Sequence, residues 1–218
     1  MKEYYGGMKM KIAVVCANGK AGKLITKEAV ERGLDVTAIV RGENRSVAVK
    51  TLAKDLLNLT KDDLKDFDVV IDAYGVFDPD KLSQHSVTSQ HLCDILSNTD
   101  IRLLIVGGAG SLYTDKSHKL QVFETPGFPA EYLPLAKAQS KELDELRKRT
   151  DVKWTFVSPA CDFQADGERT GKYVLGGEEL TLNAAGESVI SYADYAIAMV
   201  DEATNGNHIQ SRICVVKA

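Results

Sequence analysis

Residues 11–41, KIAVVCANGKAGKLITKEAVERGLDVTAIVR, constrain the chain more than any other stretch, because they read as strand, glycine turn, helix and strand in immediate succession. Ile12, Ala13, Val14 and Val15 form a short apolar run, as expected of a strand buried on both faces of a parallel sheet. Asn18, Gly19 and Gly22 follow at once. From Lys20 onward Ala21, Leu24, Ile25, Ala29 and Val30 recur at helical spacing, and Gly33 stands where a helix stops. Val36, Ala38, Ile39 and Val40 supply the second strand. A β-α-β unit opening on a glycine turn is an anion site: the helix N-terminus presents unpaired N–H groups, and glycine lets a pyrophosphate approach the backbone. Asn-Gly also marks hairpins, but the helical pattern behind it argues against one here. The pattern is incomplete. Aligned on G-x-G-x-x-G, Ala17 takes the first glycine position; aligned on G-x-x-G-x-x-G, Cys16 does. A Cβ at Cys16 is expected to crowd the turn.

The alternation continues. Strands are expected at 49–52, 68–73, 101–106, 152–157 and 213–216, and helices at 78–97, 134–149 and 192–202. Such a succession means an α/β fold, a doubly wound parallel sheet of Rossmann type in a single domain over 10–218. Residues 173–175 and 180–182, joined through Gly176 and Gly177, are expected to make a small hairpin beside the site. Ser191 and Asp194 resemble a capping box, and Glu142 and Glu145 belong to a charged helix face expected to be solvated. Residues 1–9 read as a flexible extension, with Met8 or Met10 as a natural start.

Composition excludes several classes of function. The net charge of -4 gives no electrostatic case for nucleic acid or an anionic membrane surface. The longest apolar runs fall far short of the ~18 residues a bilayer requires. The four cysteines, Cys16, Cys93, Cys161 and Cys214, form no C-x-x-C pair, and no secretion signal precedes them. They read as reduced thiols of a cytoplasmic protein, a monomer or homodimer. His85, His91, His118 and His208 do not cluster with them, so no metal site is expected and all four imidazoles are expected at the surface.

The end of the second strand selects the cofactor. An acidic residue there binds the ribose hydroxyls of NAD, whereas an arginine accommodates the 2′-phosphate of NADP. The position holds Arg41, with Arg45 close behind and Glu43 as the acidic competitor. The expectation is therefore NADP, with NAD the alternative.

Taken in order, KIAVVCANGKAG, IVGGAGSLY, WTFVSPA, GERTGKY and ISYADYAIAMVDE resemble the atypical short-chain dehydrogenase/reductase superfamily, and within it the NmrA-like and biliverdin reductase B-like branch. That resemblance implies that Gly19, Lys20, Ala21 and Gly22 hold a pyrophosphate. It implies Asp55 and Leu56 near adenine, and Ala73, Tyr74 and Gly75 under the adenosine ribose. It implies Gly108 to Ser111 beside the nicotinamide, with Pro159 and Ala160 reaching the carboxamide. It also implies an NADPH-dependent reductase acting on a small flat acceptor such as a flavin or quinone; the alternative is a non-catalytic NADP-binding redox sensor.

Short-chain dehydrogenases usually pair a serine with Tyr-x-x-x-Lys, the lysine lowering the phenol pKa for proton donation. Ser111 stands where the serine belongs, and Tyr113 and Tyr132 are the nearby phenols, but no Tyr-x-x-x-Lys follows. Tyr132 and Lys137 are five apart, which separates them by about 140° around a helix. Ser111 is expected to contact the nicotinamide side or the acceptor. Tyr132 is expected to be a loop-packing residue.

Overall fold

The computed structural model describes residues 9–218, so the expected extension at 1–9 lies, apart from Lys9, outside the described residues. In chain order the elements are β1 (Lys11–Val15), α1 (Lys20–Glu31), β2 (Asp35–Val40), β3 (Lys50–Ala53), the short α2 (Lys61–Leu64), β4 (Val69–Asp72), α3 (Gln84–Leu96), β5 (Arg102–Val106) and α4 (Leu133–Leu146). They continue as β6 (Lys153–Ser158), β7 (Asp162–Gln164), β8 (Tyr173–Gly176), β9 (Val189–Ser191), α5 (Tyr192–Asn205) and β10 (Ser211–Lys217). Eight strands form one sheet in the order β3-β2-β1-β4-β5-β6-β10-β8, parallel except for β8 against β10.

The strand order reverses at β1. β2 and β3 build outward on one side and β4 to β6 on the other, so the carboxyl ends of β1 and β4 diverge into a crevice. Val15 stands level with Ile39 on one neighbour and Asp72 on the other, which sets all three strand ends at the same rim. Both faces are covered. Ile12, Val14, Ile71 and Leu104 belong to one apolar cluster, where α1 and α5 lie side by side. Ala13, Val15, Val70 and Leu103 belong to another, where α3 and α4 do. Two-sided burial is why these strands read as continuous apolar runs rather than alternating ones.

Three segments depart from expectation. Residues 173–175 do not fold back on 180–182. Tyr173–Gly176 instead extends the main sheet on the open edge of β10, Val174 opposite Val216, while the Leu180 N–H donates to the Tyr113 carbonyl. The helix expected over 78–97 breaks after a single turn at Pro79–Lys81 and restarts at Gln84. Strand β3 begins one residue late, leaving Val49 97% exposed.

Two motifs distant in sequence meet behind the cleft. Ser191 caps α5 by accepting from the Asp194 N–H, as expected, but the Asp194 carboxylate does not reciprocate. It is fully buried and accepts from the Thr170 N–H, the Thr170 hydroxyl and the Gly171 N–H, tying the GERTG loop to the start of α5. The neighbouring Tyr195 hydroxyl donates to the Val157 carbonyl at the end of β6.

Candidate functional site

The crevice begins at the turn between β1 and α1. Cys16 leaves β1 with φ +59°, a left-handed conformation that costs a non-glycine residue about 1–3 kcal/mol and explains why glycine suits this position. The thiol fits, half-buried; burial first, and then nearby Asp72, push its pKa up to about 12, so it stays protonated. The Cys16 carbonyl turns inward and accepts from the Gly19 N–H at 2.9 Å. A Cβ built on Gly22 would lie 2.5 Å from that carbonyl oxygen and 3.0 Å from the Ala17 Cα, so only glycine lets α1 start this close to β1. No side chain caps the helix and no acidic residue occupies its first turn. The N–H groups of that turn face the crevice end with the positive end of the helix dipole.

On one side of this terminus lies a cavity of about 830 Å³, with Asn18, Arg41, Arg45, Asp55 and Leu56 in its wall. The Asn18 side chain clamps the loop that follows β2: its Nδ2 donates to the Glu43 carbonyl and its Oδ1 accepts from the Arg45 N–H at 2.7 Å. That loop presents Arg41 and Arg45 with no carboxylate partner among the described residues, whereas Lys54 and Lys81 in the same wall are paired with Asp63 and Asp78.

On the other side lies a cavity of about 1080 Å³, walled by Lys20, Ala21, Gly108, Pro159 and Ala160. Gly19, Ala73, Tyr74 and Gly75 line both cavities, which therefore meet over the N-terminus of α1. The outer wall of the second is aromatic, with Phe77, Phe128, Tyr132, Phe163 and Tyr192. The glycines after β5 are there for packing: a Cβ on Gly108 would lie 2.1 Å from Gln139 Oε1, and one on Gly110 2.6 Å from the Ala136 Cβ, both on α4. Two chambers joined at a bare helix N-terminus, with a cradle that a Cβ would fill, fit a dinucleotide.

The expected catalytic trio is not brought together. Ser111 is 3% exposed, and its hydroxyl accepts from Arg212 Nη1 at 3.0 Å, so it stands behind the wall rather than in it. Arg212 is itself held by Glu178, and the serine completes that buried network. Tyr113 stacks on His118 with ring centres 4.4 Å apart and also lies outside the cavity wall. Tyr132 alone lines the cavity; it is half-exposed, and Lys137 is absent from the lining.

Two burials overturn the sequence reading. His85, expected at the surface, is 2% exposed and lines the second cavity. Glu142, expected on a solvated face, is also 2% exposed. The signal was phase: His85 lies seven residues before Leu92 and Glu142 four before Leu146, each on its helix's inward stripe. No helix among the described residues is long and apolar enough to cross a membrane, and no three His, Cys, Asp or Glu side chains among them are grouped to hold a metal.

Known proteins resemble this chain over nearly its whole length. Bacillus subtilis YwnB is 44% identical over 210 residues, 95% of this chain and 98% of its own. A crystal structure from Streptococcus pneumoniae, provisionally described as an NADH-flavin reductase, is 54% identical with a TM-score of 0.94 and covers 96% of this chain and 100% of its own. One from Bacteroides thetaiotaomicron, provisionally described as an epimerase, is 32% identical with a TM-score of 0.81 and covers 96% and 98%. The family model described as NAD(P)H-binding matches residues 16–205, from the turn after β1 to the end of α5. By that match, which spans most of its length, the chain belongs to the NAD(P)H-binding family.

Proposed function

We propose that the chain is an NAD(P)H-dependent oxidoreductase that uses NADPH to reduce a flat conjugated acceptor such as a flavin or quinone. The observation that carries this reading is the pair of cavities meeting at the uncapped start of α1, one basic and one aromatic. In it, the backbone of Gly19, Lys20, Ala21 and Gly22 holds the pyrophosphate. Asp55 and Leu56 border the adenine, and Ala73, Tyr74 and Gly75 support the ribose. Gly108, Pro159 and Ala160 fix the nicotinamide face and its carboxamide. A reduced nicotinamide in that place supplies hydride; the aromatic wall stacks the acceptor and excludes water. The S. pneumoniae relative's description as an NADH-flavin reductase favours the same reaction class. Steady NADPH oxidation on addition of riboflavin or a soluble quinone tests the proposal. Tight NADPH binding without turnover of any such acceptor would favour the redox-sensor reading instead.

Cofactor choice follows from Arg41 and Arg45. A charge-assisted bidentate contact to a 2′-phosphate is worth about 1.5–3 kcal/mol, which is roughly a 10- to 150-fold preference for NADPH over NADH. Calorimetric titration of both cofactors is expected to show that preference and Arg41→Ala to remove most of it. Equal affinities in the wild type would overturn that preference, and tighter binding of NADH would favour the cofactor named for the S. pneumoniae relative.

The acceptor follows from the missing acid. A ketone needs a positioned proton donor as hydride arrives, whereas a flavin or quinone spreads the charge and takes its proton from water. With Ser111 and Tyr113 behind the wall and Lys137 absent from the lining that holds Tyr132, no serine-tyrosine-lysine set faces the cavity. Tyr132→Phe is expected to change single-turnover NADPH oxidation by less than about threefold at saturating cofactor. A loss of ~1000-fold with binding intact would identify a phenol acid and point to carbonyl reduction.

A further inference from the structure

Between α3 and α4 lie two ionisable side chains that the cofactor cradle does not use. His85 and Glu142 are each 2% exposed, and His85 Nδ1 lies 3.9 Å from Glu142 Oε2, an oxygen with no hydrogen-bond partner. The other ring nitrogen, Nε2, lies 3.1 Å from the Val76 carbonyl, and the ring meets the Tyr74 ring edge-on at 5.8 Å. Residues 74–77 form the strip after β4, and its first part lines both cavities. A carbonyl only accepts, so Nε2 carries the proton and the Nδ1 lone pair faces Glu142. A buried carboxylate facing that lone pair would be repelled; a carboxylic acid is not. Burial, with Asp72 nearby, raises the Glu142 pKa well above the usual range, and burial lowers that of His85.

We propose that His85 and Glu142 are positioning residues: protonated Glu142 keeps His85 in its Nε2–H tautomer, and that tautomer anchors the Val76 carbonyl and with it the strip where the two cavities meet. That the strip carries a cofactor rests on the function proposed above; the tautomer does not. When Glu142 loses its proton to solvent, the single imidazole proton exchanges from Nε2 to Nδ1, where it faces the carboxylate. Nε2 then turns a lone pair to the Val76 oxygen, and the anchor is lost.

Other groups surround the pair. Ser89 on α3 is a hydrogen-bonding neighbour of Glu142, and Glu145 on α4 and Asp72 on β4 add negative charge. Asp72 anchors the near end of the same strip by accepting from the Tyr74 N–H at 2.9 Å. Burial raises its pKa to about 6, so it is ionised throughout the alkaline range used below.

The test is ¹⁵N NMR of the histidine side chains in the cofactor-free protein from pH 7 to 9.5, paired with NADPH titrations over the same range. The wild type is expected to show His85 as the Nε2–H tautomer at pH 7 and a growing Nδ1–H fraction as pH rises. Affinity for NADPH should fall in parallel. Glu142→Gln, which keeps the shape of the acid but cannot ionise, is expected to hold the Nε2–H tautomer and a flat affinity. His85→Phe is expected to weaken NADPH about three- to tenfold at pH 7, the loss of one neutral hydrogen bond. A wild-type His85 that is Nδ1–H or imidazolium at pH 7, or that keeps one tautomer to pH 9.5, overturns the proposal; so does Glu142→Gln titrating like the wild type. If the tautomers behave as expected but NADPH binds at no pH, the anchor stands and the reading of the cavities fails.

Discussion

Gly22→Val is expected to abolish NADPH binding. The Cβ alone would sit 2.5 Å from the Cys16 carbonyl oxygen and 3.2 Å from the Ala17 carbonyl carbon. Both are backbone atoms of the turn that fixes the start of α1, so neither can yield as a flexible side chain would. The same Cys16 carbonyl accepts from Gly19, and the Gly19 carbonyl accepts from Lys23 at 2.9 Å, so pushing the helix outward also opens the bonds that aim its first N–H groups. Valine adds two methyl groups to the clash. Overpacking of this kind costs about 1–3 kcal/mol even where side chains can adjust, and a β-branched residue in a first turn adds a χ1 restriction. The expected result is at least a 100-fold loss of affinity in a protein whose melting temperature is also lowered. Gly22→Ala, with the single Cβ, should show a smaller loss of the same kind. A Gly22→Val protein that melts normally and binds NADPH with wild-type affinity would mean that this terminus is not the pyrophosphate cradle.

How far the site could be read from the chain follows from what each residue's role depends on. The β1-α1-β2 unit is local: its apolar runs, its glycines and the helical phase of Leu24 and Ile25 lie within one continuous stretch, and its burial follows that phase. Arg41 is also local, because a strand end and its next residue fix where a side chain emerges. Ser111 misled because a motif position says which loop a residue occupies and not which way its hydroxyl turns. Its partner, Arg212, is 101 residues away on β10. Glu142 and Asp194 failed or half-failed for the same reason. A carboxyl on an apolar stripe is buried only where it keeps its own proton or another element brings it a donor: Ser89 on α3 is the hydrogen-bonding neighbour of Glu142, and the GERTG loop supplies the donors to Asp194. The three-residue strands β7 and β9 pair only with each other and carry too little periodicity to be read at all.

A comparable dependence on distant partners governs stability at the end of β5 away from the cleft, where Glu202→Ala is expected to be strongly destabilising. Arg102 on β5 is 8% exposed and Glu202 on α5 is 6% exposed. Arg102 Nη2 donates to Glu202 Oε1 at 2.7 Å, and Nη1 to the Glu202 carbonyl at 2.9 Å. The other carboxylate oxygen takes His208 Nδ1 at 2.7 Å, and Thr155 on β6 joins through its hydroxyl. Removing the carboxylate strands a buried guanidinium, a change that costs about 3–5 kcal/mol and lowers Tm by roughly 6–20 °C for a chain of this size. Replacing both members, as in Arg102→Met with Glu202→Leu, removes the stranded charge and should recover most of that loss, because well-packed apolar pairs often match a buried ion pair. The pH dependence has a defined sign. Burial opposes the charge on Glu202, but the hydrogen bonds from Arg102 and His208 outweigh it and hold the carboxyl below its ordinary value. Its contribution is therefore present above the unfolded carboxyl pKa of about 4.3 and is lost as pH falls through the lower folded value. Chemical denaturation at pH 7 and at pH 3.5 measures both effects. Wild-type stability should fall between the two, and Glu202→Gln should lose less over the same interval. A Glu202→Ala protein within about 1 kcal/mol of the wild type at pH 7 would show that water reaches Arg102 and that the pair is not buried in solution.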